Sequence, residues 1–298
     1  MRDAPLSVFR GLNRDARHWQ ILALSGLFAI SVWTTDFGAR PEHLIAALTG
    51  TLTAQIIGAW AVGCRFEWKS AAITALSLSI LLRASEPWMW VAAGLVGVGA
   101  KFAIRYKGKH LFNPACLGIV AMILLFGRDV WVSPGQWGQA PLIAGWAMAL
   151  AALVLSSVKR LDIALGFIAT FAAILFGRAL WLGDPMAIPM HQLSSGTLLV
   201  FTFFMITDPR STPDSCPGRL LFAAGVAGLT AWLIIGPNVI AAPMMALAAL
   251  SVFTPFLDRW LPARRFQWGI HQKSKEGRDY ETQTSGRLGG AWSRLARP

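Results

Sequence analysis

The chain has 298 residues, of which 55% are hydrophobic and only 14% charged, and its formal net charge is +12. Soluble domains carry about a quarter charged residues, so this composition excludes a water-soluble protein and indicates an integral membrane protein. The basic excess does not indicate a nucleic-acid partner, because apolar runs separated by short polar clusters fill nearly the whole chain.

Ten apolar runs are candidate membrane spans, although several fall short of the roughly 20 residues that a perpendicular helix requires. In chain order they are Gln20–Trp33, His43–Gly63, Ala71–Leu82, Trp88–Ala103, Leu111–Phe126, Ala140–Val158, Ile163–Leu182, Gly196–Thr207, Leu220–Gly236 and Val239–Leu257. A segment of residues 1–19 precedes the membrane domain of residues 20–257, and residues 258–298 form a basic tail. The predicted fold is therefore all-α, with about ten transmembrane helices.

The basic residues predict an orientation for these spans. With the N-terminus in the cytoplasm, 23 of the 27 Lys and Arg residues lie in inner segments. The positive-inside rule then predicts a multi-pass protein of the bacterial inner membrane with both termini in the cytoplasm. Anionic lipids are the expected partners of the basic face, and no nucleic-acid partner is expected.

Ten spans divide into two sets of five, and because five is odd, the second set would be inserted in the opposite orientation. The third member of each set is short: Ala71–Leu82 leads into RASEP, and Gly196–Thr207 leads into DPRSTP. Short segments interrupted by proline at matching positions indicate two inverted five-helix repeats with broken helices, whose ends face a midplane site. Ordinary tilted helices that end in proline turns are the alternative.

Two segments carry a more specific signal. Lys109–Ile119 reads KHLFNPACLGI, and Leu193–Leu229 contains TDPRSTP followed by a helix that opens with Gly-Arg. Together with the TPFLD close of the last span, these segments resemble the NqrB/RnfD family, the flavin-carrying membrane subunits of ion-pumping NADH:quinone and ferredoxin:NAD oxidoreductases. The resemblance covers most of residues 100–262. It implies an electron-transfer component of an oxidoreductase complex, with other redox subunits, electron carriers or quinone as partners, and not a free-standing enzyme.

The chain departs from this family at the site of covalent flavin attachment. The family carries FMN on the threonine of a Ser-Gly-Ala-Thr segment, in the outer loop after the FNPA helix. The corresponding loop here, Gly127–Gln139, has no threonine, and Ser195-Gly196-Thr197 lies elsewhere and lacks the alanine. We therefore expect no covalent FMN in this shortened branch, and the resemblance implies a noncovalent flavin, riboflavin or FMN, among the helices.

The candidate flavin-binding residues are His110, Phe112, Asn113, Thr207, Asp208 and Arg219. An asparagine amide offers both donors and an acceptor, which suits the alternating acceptor and donor groups along the pyrimidine edge of a flavin. The alternative for Asn113 is to cap the helix that begins at Pro114. The alternatives for Asp208 are to bind a cation or to cap its own turn. Arg219, like Lys109, has lipid headgroups as its alternative partner.

Three other functions are open at this stage. A membrane b-type haem needs two facing histidines, and His43 and His191 both fall near the predicted outer face. A solute channel or transporter would share the inverted halves and broken helices. A scaffold without a cofactor would dock its partners through the basic tail. No chain of carboxylates lies within the spans, so an ion path within this chain alone is not expected.

Overall fold

A computed structural model describes residues 15–33, 39–133 and 160–266 of the protein. Numbered in chain order within these ranges, the α-helices are α1 Ala16–Trp33, α2 Pro41–Val62, α3 Trp68–Leu81, α4 Trp88–Ala103, α5 Pro114–Phe126, α6 Leu161–Leu182, α7 Ala187–Leu193, α8 Gly196–Val200, α9 Cys216–Ile235, α10 Ala242–Ser251 and α11 Thr254–Trp260. Helices therefore lie at nine of the ten predicted runs, and the remaining run, Ala140–Val158, lies outside the described residues.

The described residues are mostly helical, as predicted, but among them four short strands, which the all-α prediction did not include, form two antiparallel pairs. The strands are β1 Leu82–Ala84, β2 Arg105–Tyr106, β3 Lys109–His110 and β4 Val130–Val132, with β1 paired to β4 and β2 to β3. Two or three residues are too few for an alternation of polar and apolar side chains to be visible in the sequence. The turn between β2 and β3 has left-handed backbone at Lys107 (φ 48°) and Gly108 (φ 80°), as tight hairpins require.

Within the described ranges, three helices, α2, α6 and α9, are long and apolar enough to cross a membrane. They contain 22, 22 and 20 residues, which corresponds to about 30 Å of helix. Large apolar side chains point outward from them, such as Trp60 at 84% exposure and Trp181 at 87%. The chain is an integral membrane protein with several apolar helices, while ten crossings, the inverted repeat and the domain limits stay predictions.

The packing of the helices follows the same pattern in both predicted sets of five. In the first set, α2 packs against α4 and α4 against α5; in the second set, α6 packs against α9 and α9 against α10. These helices hold the second, fourth and fifth positions of their sets. The two sets meet where α10 packs on α5, and Cys116 of α5 donates from Sγ to the carbonyl of Met244 at 3.1 Å.

The two short helices, α3 and α8, both contact Ser133. At the end of α3, the carbonyl of Leu81 accepts a hydrogen bond from the Ser133 amide at 2.8 Å, and the chain continues into β1. Helix α8 begins beside Ser133, whose carbonyl accepts from the Thr197 hydroxyl, and it continues into a π-helical segment, Phe201–Met205. This helix packs on α6 through the Phe167 and Phe201 rings, 5.1 Å apart.

Helix α8 is too short to cross a bilayer. Its five α-helical and five π-helical residues give it a length of about 15 Å, which is half the thickness of the hydrocarbon core. Both of its ends are hydrogen-bonded to other parts of the fold: at its start the Thr197 hydroxyl donates to the Ser133 carbonyl, and at its end the Asn113 amide donates to the Met205 carbonyl. That this run stops early because the helix does not cross the membrane completely stays a prediction.

Candidate functional site

The candidate site lies where the β2–β3 hairpin and the start of α5 meet the end of α8. His110, the last residue of the hairpin, places Nε2 3.2 Å from Oδ2 of Asp208, which follows the π-helical segment. His110 is buried, and the Asp208 side chain is 17% exposed. Two of the predicted site residues, 98 positions apart in the sequence, are thus in direct contact.

Asp208 also caps its own turn, as the alternative interpretation expected. Its Oδ1 accepts from the Arg210 amide at 3.1 Å, and its Oδ2 accepts from the Ser211 hydroxyl at 3.1 Å. Burial alone would raise the pKa of the Asp208 carboxyl, but the hydrogen bond and positive charge of His110, with these two donors, hold it below its usual value. The Asp208 carboxylate is therefore ionised at neutral pH and holds the His110 ring in place.

Asn113 makes both the contact of a helix cap and a contact with α8. Its Oδ1 accepts from the Cys116 amide at 3.0 Å, which caps α5, and its Nδ2 donates to the carbonyl of Met205 at 3.3 Å. An asparagine amide has two hydrogens and two oxygen lone pairs. One hydrogen and one lone pair of Asn113 therefore remain for a ligand, although the residue is only 8% exposed.

Thr207 and Phe112 flank these groups. The Thr207 hydroxyl donates to the carbonyl of Phe203 at 2.8 Å, so its oxygen keeps its capacity to accept. Phe112 is half-buried in the turn between β3 and α5, directly before Asn113. Thr207 directly precedes Asp208 and Phe112 directly precedes Asn113, so both residues are sequence neighbours of the site.

Arg219 bonds elsewhere. Its Nε donates to Oδ2 of Asp162 at 2.8 Å, and its Nη1 donates to the carbonyl of Asp214 at 2.7 Å. These bonds join the first turn of α9 to the first turn of α6. Arg219 is therefore an ion-paired residue that positions two helices, and its contacts are with neither His110 nor Asp208.

Sequence reasoning missed an ion-pair cluster beside the site, formed by Lys109, Asp214 and Asp258. Lys109 Nζ lies 2.8 Å from Oδ2 of Asp258 and 3.2 Å from Oδ1 of Asp214. Asp258 also accepts from the Asp214 amide at 2.8 Å. The cluster ties the hairpin to the chain after α8 and to α11, so Lys109 is not a simple headgroup anchor. The available signal for this cluster in the sequence was Asp258, the aspartate of the TPFLD motif at the end of the last apolar run.

A buried arginine supports the chain after α8 from the other side. Arg160 donates from Nη1 to the carbonyl of Pro213 at 2.8 Å, and its Nη2 lies 4.0 Å from Oδ1 of Asp214. Burial lowers the pKa of the Arg160 guanidinium to about 10, which leaves it charged at neutral pH. The segment between α8 and α9 is thus fixed by basic groups from two separate parts of the chain.

The histidines considered for haem have other surroundings. The His43 ring stacks on Trp90 with centroids 3.9 Å apart and planes 9° apart, and His191 is exposed on α7. Among the described residues, no group of three His, Cys, Asp or Glu side chains could hold a metal ion. An open apolar groove of about 500 Å³ on α2, lined by Ile56, Trp60 and Phe66 among others, offers few polar groups and is not the candidate site.

The donor set fits the pyrimidine edge of a flavin. Asn113 has one free amide hydrogen and one free lone pair, Thr207 has an acceptor oxygen, and the N-terminus of α5 favours negative charge. His110, held by Asp208, adds a ring nitrogen next to them. Asn113, Thr207 and His110 are all buried, and Asn113 contacts the end of α8; backbone outside regular helix is tolerated in a membrane protein where protein or a cavity satisfies its polar groups.

The chain is similar to proteins of one family. Residues 135–267 match the model of the NQR2, RnfD, RnfE family. The RnfD protein of the ion-translocating oxidoreductase complex of Alcanivorax borkumensis is 28% identical, with 85% of this chain and 91% of that protein covered. The corresponding proteins from Pseudomonas paraeruginosa and Escherichia coli O127:H6 are 27% and 22% identical and cover 70% and 72% of this chain, which covers 76% and 82% of them.

Proposed function

We infer that this chain, a relative of the NQR2, RnfD and RnfE proteins, is a membrane subunit of an oxidoreductase complex that relays electrons through a noncovalent flavin. The observation that carries this proposal is the contact of Asn113 with Met205, where a helix start meets the end of an interrupted helix in buried surroundings. A bound flavin, riboflavin or FMN, would supply the capacity to accept and release electrons. The partners are other subunits of the complex or electron carriers, and a quinone is a further candidate.

The length of α8 supports a ligand within the membrane. A helix of about 15 Å exposes polar backbone at a depth where lipid cannot satisfy it. Asn113 satisfies one of these groups, the Met205 carbonyl, and Thr212 satisfies another by donating from Oγ1 to the carbonyl of Asp208 at 2.8 Å. The packing shared by the two sets of helices supports the inverted repeat that would place this site near the midplane.

The roles of the protein's own residues follow from their chemistry. Asn113 orients the ligand with its remaining hydrogen and lone pair, and Thr207 offers an acceptor for an N–H group. The N-terminus of α5 stabilises negative charge beside them, while Asp208 keeps the His110 ring oriented. Burial of all these groups excludes bulk water, which strengthens each of the interactions.

Covalent FMN is not part of the proposal. The loop in which the family attaches FMN contains no threonine in this chain, and residues 134–139 of it lie outside the described residues. The positive-inside pattern supports an inner-membrane location with both termini in the cytoplasm, and anionic lipids as neighbours of the basic face.

The test is the cofactor content of the purified full-length chain in mild detergent. We expect a yellow protein whose flavin is released completely by denaturation without proteolysis, at close to one flavin per chain. Asn113→Leu and Asp208→Ala should lower the flavin-to-protein ratio, while Asp184→Asn, at an exposed carboxylate, should not. A colourless wild-type protein that passes solute in liposomes would contradict the proposal and support the channel alternative. A haem absorption band would contradict it as well.

A further inference from the structure

A buried lysine lies in the last turn of α4, close to the candidate site. Lys101 is 8% exposed, and its Nζ lies 2.6 Å from Oε1 of Gln55 on α2 and 3.2 Å from Oγ of Ser70 on α3. Gln55 is itself 1% exposed. Three helices thus enclose an ammonium group near the end of the predicted run Trp88–Ala103.

Both hydrogen-bond partners of this ammonium are neutral. Among the described residues, no carboxylate oxygen lies within 4.0 Å of Lys101 Nζ, whereas Lys109 has two. A buried charge without a counterion is costly, and an ionisable group inside a membrane protein marks a functional site by default. The third N–H of Lys101 and the amide N–H groups of Gln55 make no hydrogen bond to any described residue. Lys101 and Gln55 therefore have hydrogen-bond donors and a positive charge that are available to a ligand.

The position of Lys101 connects it to the site. Gly97, one turn earlier on α4, packs so closely on α5 that a Cβ placed on it would lie 2.1 Å from the carbonyl oxygen of Pro114. Pro114 directly follows Asn113. Arg210, Glu67 and Asp208 are within electrostatic range of Lys101, and neither carboxylate is in direct contact with it. The ammonium thus borders the same end of α5 and α8 as His110 and Asn113.

We propose that Lys101 and Gln55 donate hydrogen bonds to one carbonyl oxygen at the pyrimidine edge of the flavin, beside the groups that Asn113 binds, and favour its reduced, more negatively charged form. This inference rests on the proposed function and extends it from the Asn113 side of the site to the α2–α4 side. An ammonium and an amide N–H are both donors, so the ligand group that they suit is an oxygen acceptor that gains negative charge. Arg105 reinforces the local positive charge, because its Nε donates to the Lys101 carbonyl at 2.8 Å.

The experiment measures the midpoint potential of the bound flavin and the flavin-to-protein ratio in the purified full-length chain. The Lys101→Gln variant should lose at least a factor of ten in its preference for the reduced over the oxidised flavin. For a two-electron couple, its midpoint potential should therefore lie about 30 mV lower than that of wild type. Lys101→Arg should restore most of the potential, and Gln55→Leu should lower the ratio. Lys107→Gln, at an exposed lysine of the hairpin, is the matched control.

The outcomes separate this inference from the proposed function. An unchanged potential and an unchanged ratio in both Lys101→Gln and Gln55→Leu would overturn the inference while a flavin is still present. Loss of a bound anionic lipid from Lys101→Gln, with the potential unchanged, would assign the ammonium to a phosphate and overturn it too. A wild-type protein without any flavin would overturn both proposals. If Lys101→Gln does not fold, the midpoint potential of the flavin in Lys101→Arg and the flavin-to-protein ratio of Gln55→Leu still test the inference.

Discussion

Asn113 joins the start of one helix to the end of another: its side-chain amide donates to the carbonyl of Met205 while its oxygen accepts from the Cys116 amide. The Asn113 side chain thus caps α5, as helix-capping rules predict, and also binds the end of the eighth apolar run. The two interpretations of Asn113 are therefore not exclusive, and substitutions can separate them.

Asn113→Ser should keep the cap and lose the bond to α8. A serine hydroxyl accepts from the amide three residues on but does not reach Met205, so we expect a loss of about 1 kcal/mol in the free energy of unfolding. Asn113→Leu removes both bonds and leaves the buried Cys116 amide unsatisfied, so the loss should be about 2–3 kcal/mol. Thermal and denaturant unfolding in detergent, followed by circular dichroism, measures both. Equal stability of the two variants would contradict the double role.

The Asp208 carboxylate should make stability depend on pH in the acid range. Its pKa in the folded protein lies below the usual 3.8, so its contribution is complete above about pH 4 and is lost as the pH falls through the folded-state value. Asp208→Asn should be less stable than wild type at neutral pH and should lose less stability on acidification. Unfolding curves between about pH 6 and pH 3 measure this difference.

The control for Asp208 is Asp184, which pairs with Arg178 at the surface. Asp184→Asn should reproduce the wild-type pH profile, because an exposed pair contributes little to the free energy of unfolding. An Asp208→Asn profile parallel to that of wild type would show that the His110 contact does not stabilise the carboxylate.

Lys109→Met should destabilise the protein more than the loss of a surface ion pair does. It leaves Asp214 and Asp258, whose side chains are 7% and 22% exposed, without their ammonium partner, which should cost about 3 kcal/mol. Arg178→Met breaks a pair that is 40% and 32% exposed and should cost less than about 1 kcal/mol. Chemical denaturation of the two variants gives the comparison, and similar losses in both would show that the cluster is not a structural tie.

Substituting alanine for two different glycines of α4 should have opposite effects on the stability of the fold. A Cβ on Gly97 would lie 2.1 Å from the Pro114 carbonyl oxygen, whereas a Cβ on Gly99 meets nothing within 4 Å. Gly97→Ala should therefore push α5 away from α4, destabilise the fold by about 2 kcal/mol or more, and lower the flavin content. Gly99→Ala should be neutral or stabilising by up to about 1 kcal/mol, since alanine favours helix. Flavin content and melting temperature are measured together, and equal values in both would contradict the close approach.

The native cysteines test the orientation. Cys64 and Cys216 are exposed and both fall on the predicted cytoplasmic side, while Cys116 is buried. A membrane-impermeant maleimide should label single-cysteine Cys64 and Cys216 variants in inverted vesicles and not in intact spheroplasts. Arg128→Cys, in a cysteine-free background, should show the opposite pattern. Labelling of Cys64 from outside the cell would reverse the predicted topology.

The positions of the helices were predictable because hydrophobic runs reveal membrane helices directly. The ends of the runs were less predictable: the run Val239–Leu257 is interrupted between α10 and α11, and α9 begins at Cys216, four residues before the apolar run. Polar capping residues are weak signals beside the long apolar segments that they flank.

The partners of charged groups were the least predictable part of the site. The family resemblance selected His110 and Asp208 as site residues without predicting their contact, Lys109 was interpreted as a partner of lipid headgroups, and Lys101 was not singled out. Their partners lie on distant segments: Asp258 is 149 positions from Lys109, and Gln55 is 46 positions from Lys101. Such pairings depend on how helices are arranged in space, which a single sequence does not contain.

Ser133 receives the end of α3 through its amide and the start of α8 through its carbonyl. The backbone of a single residue therefore links the end of α3 to the start of α8. Because Asn113 holds the other end of α8, this short helix is anchored at both ends by residues of the first set of helices and of the loop that follows it.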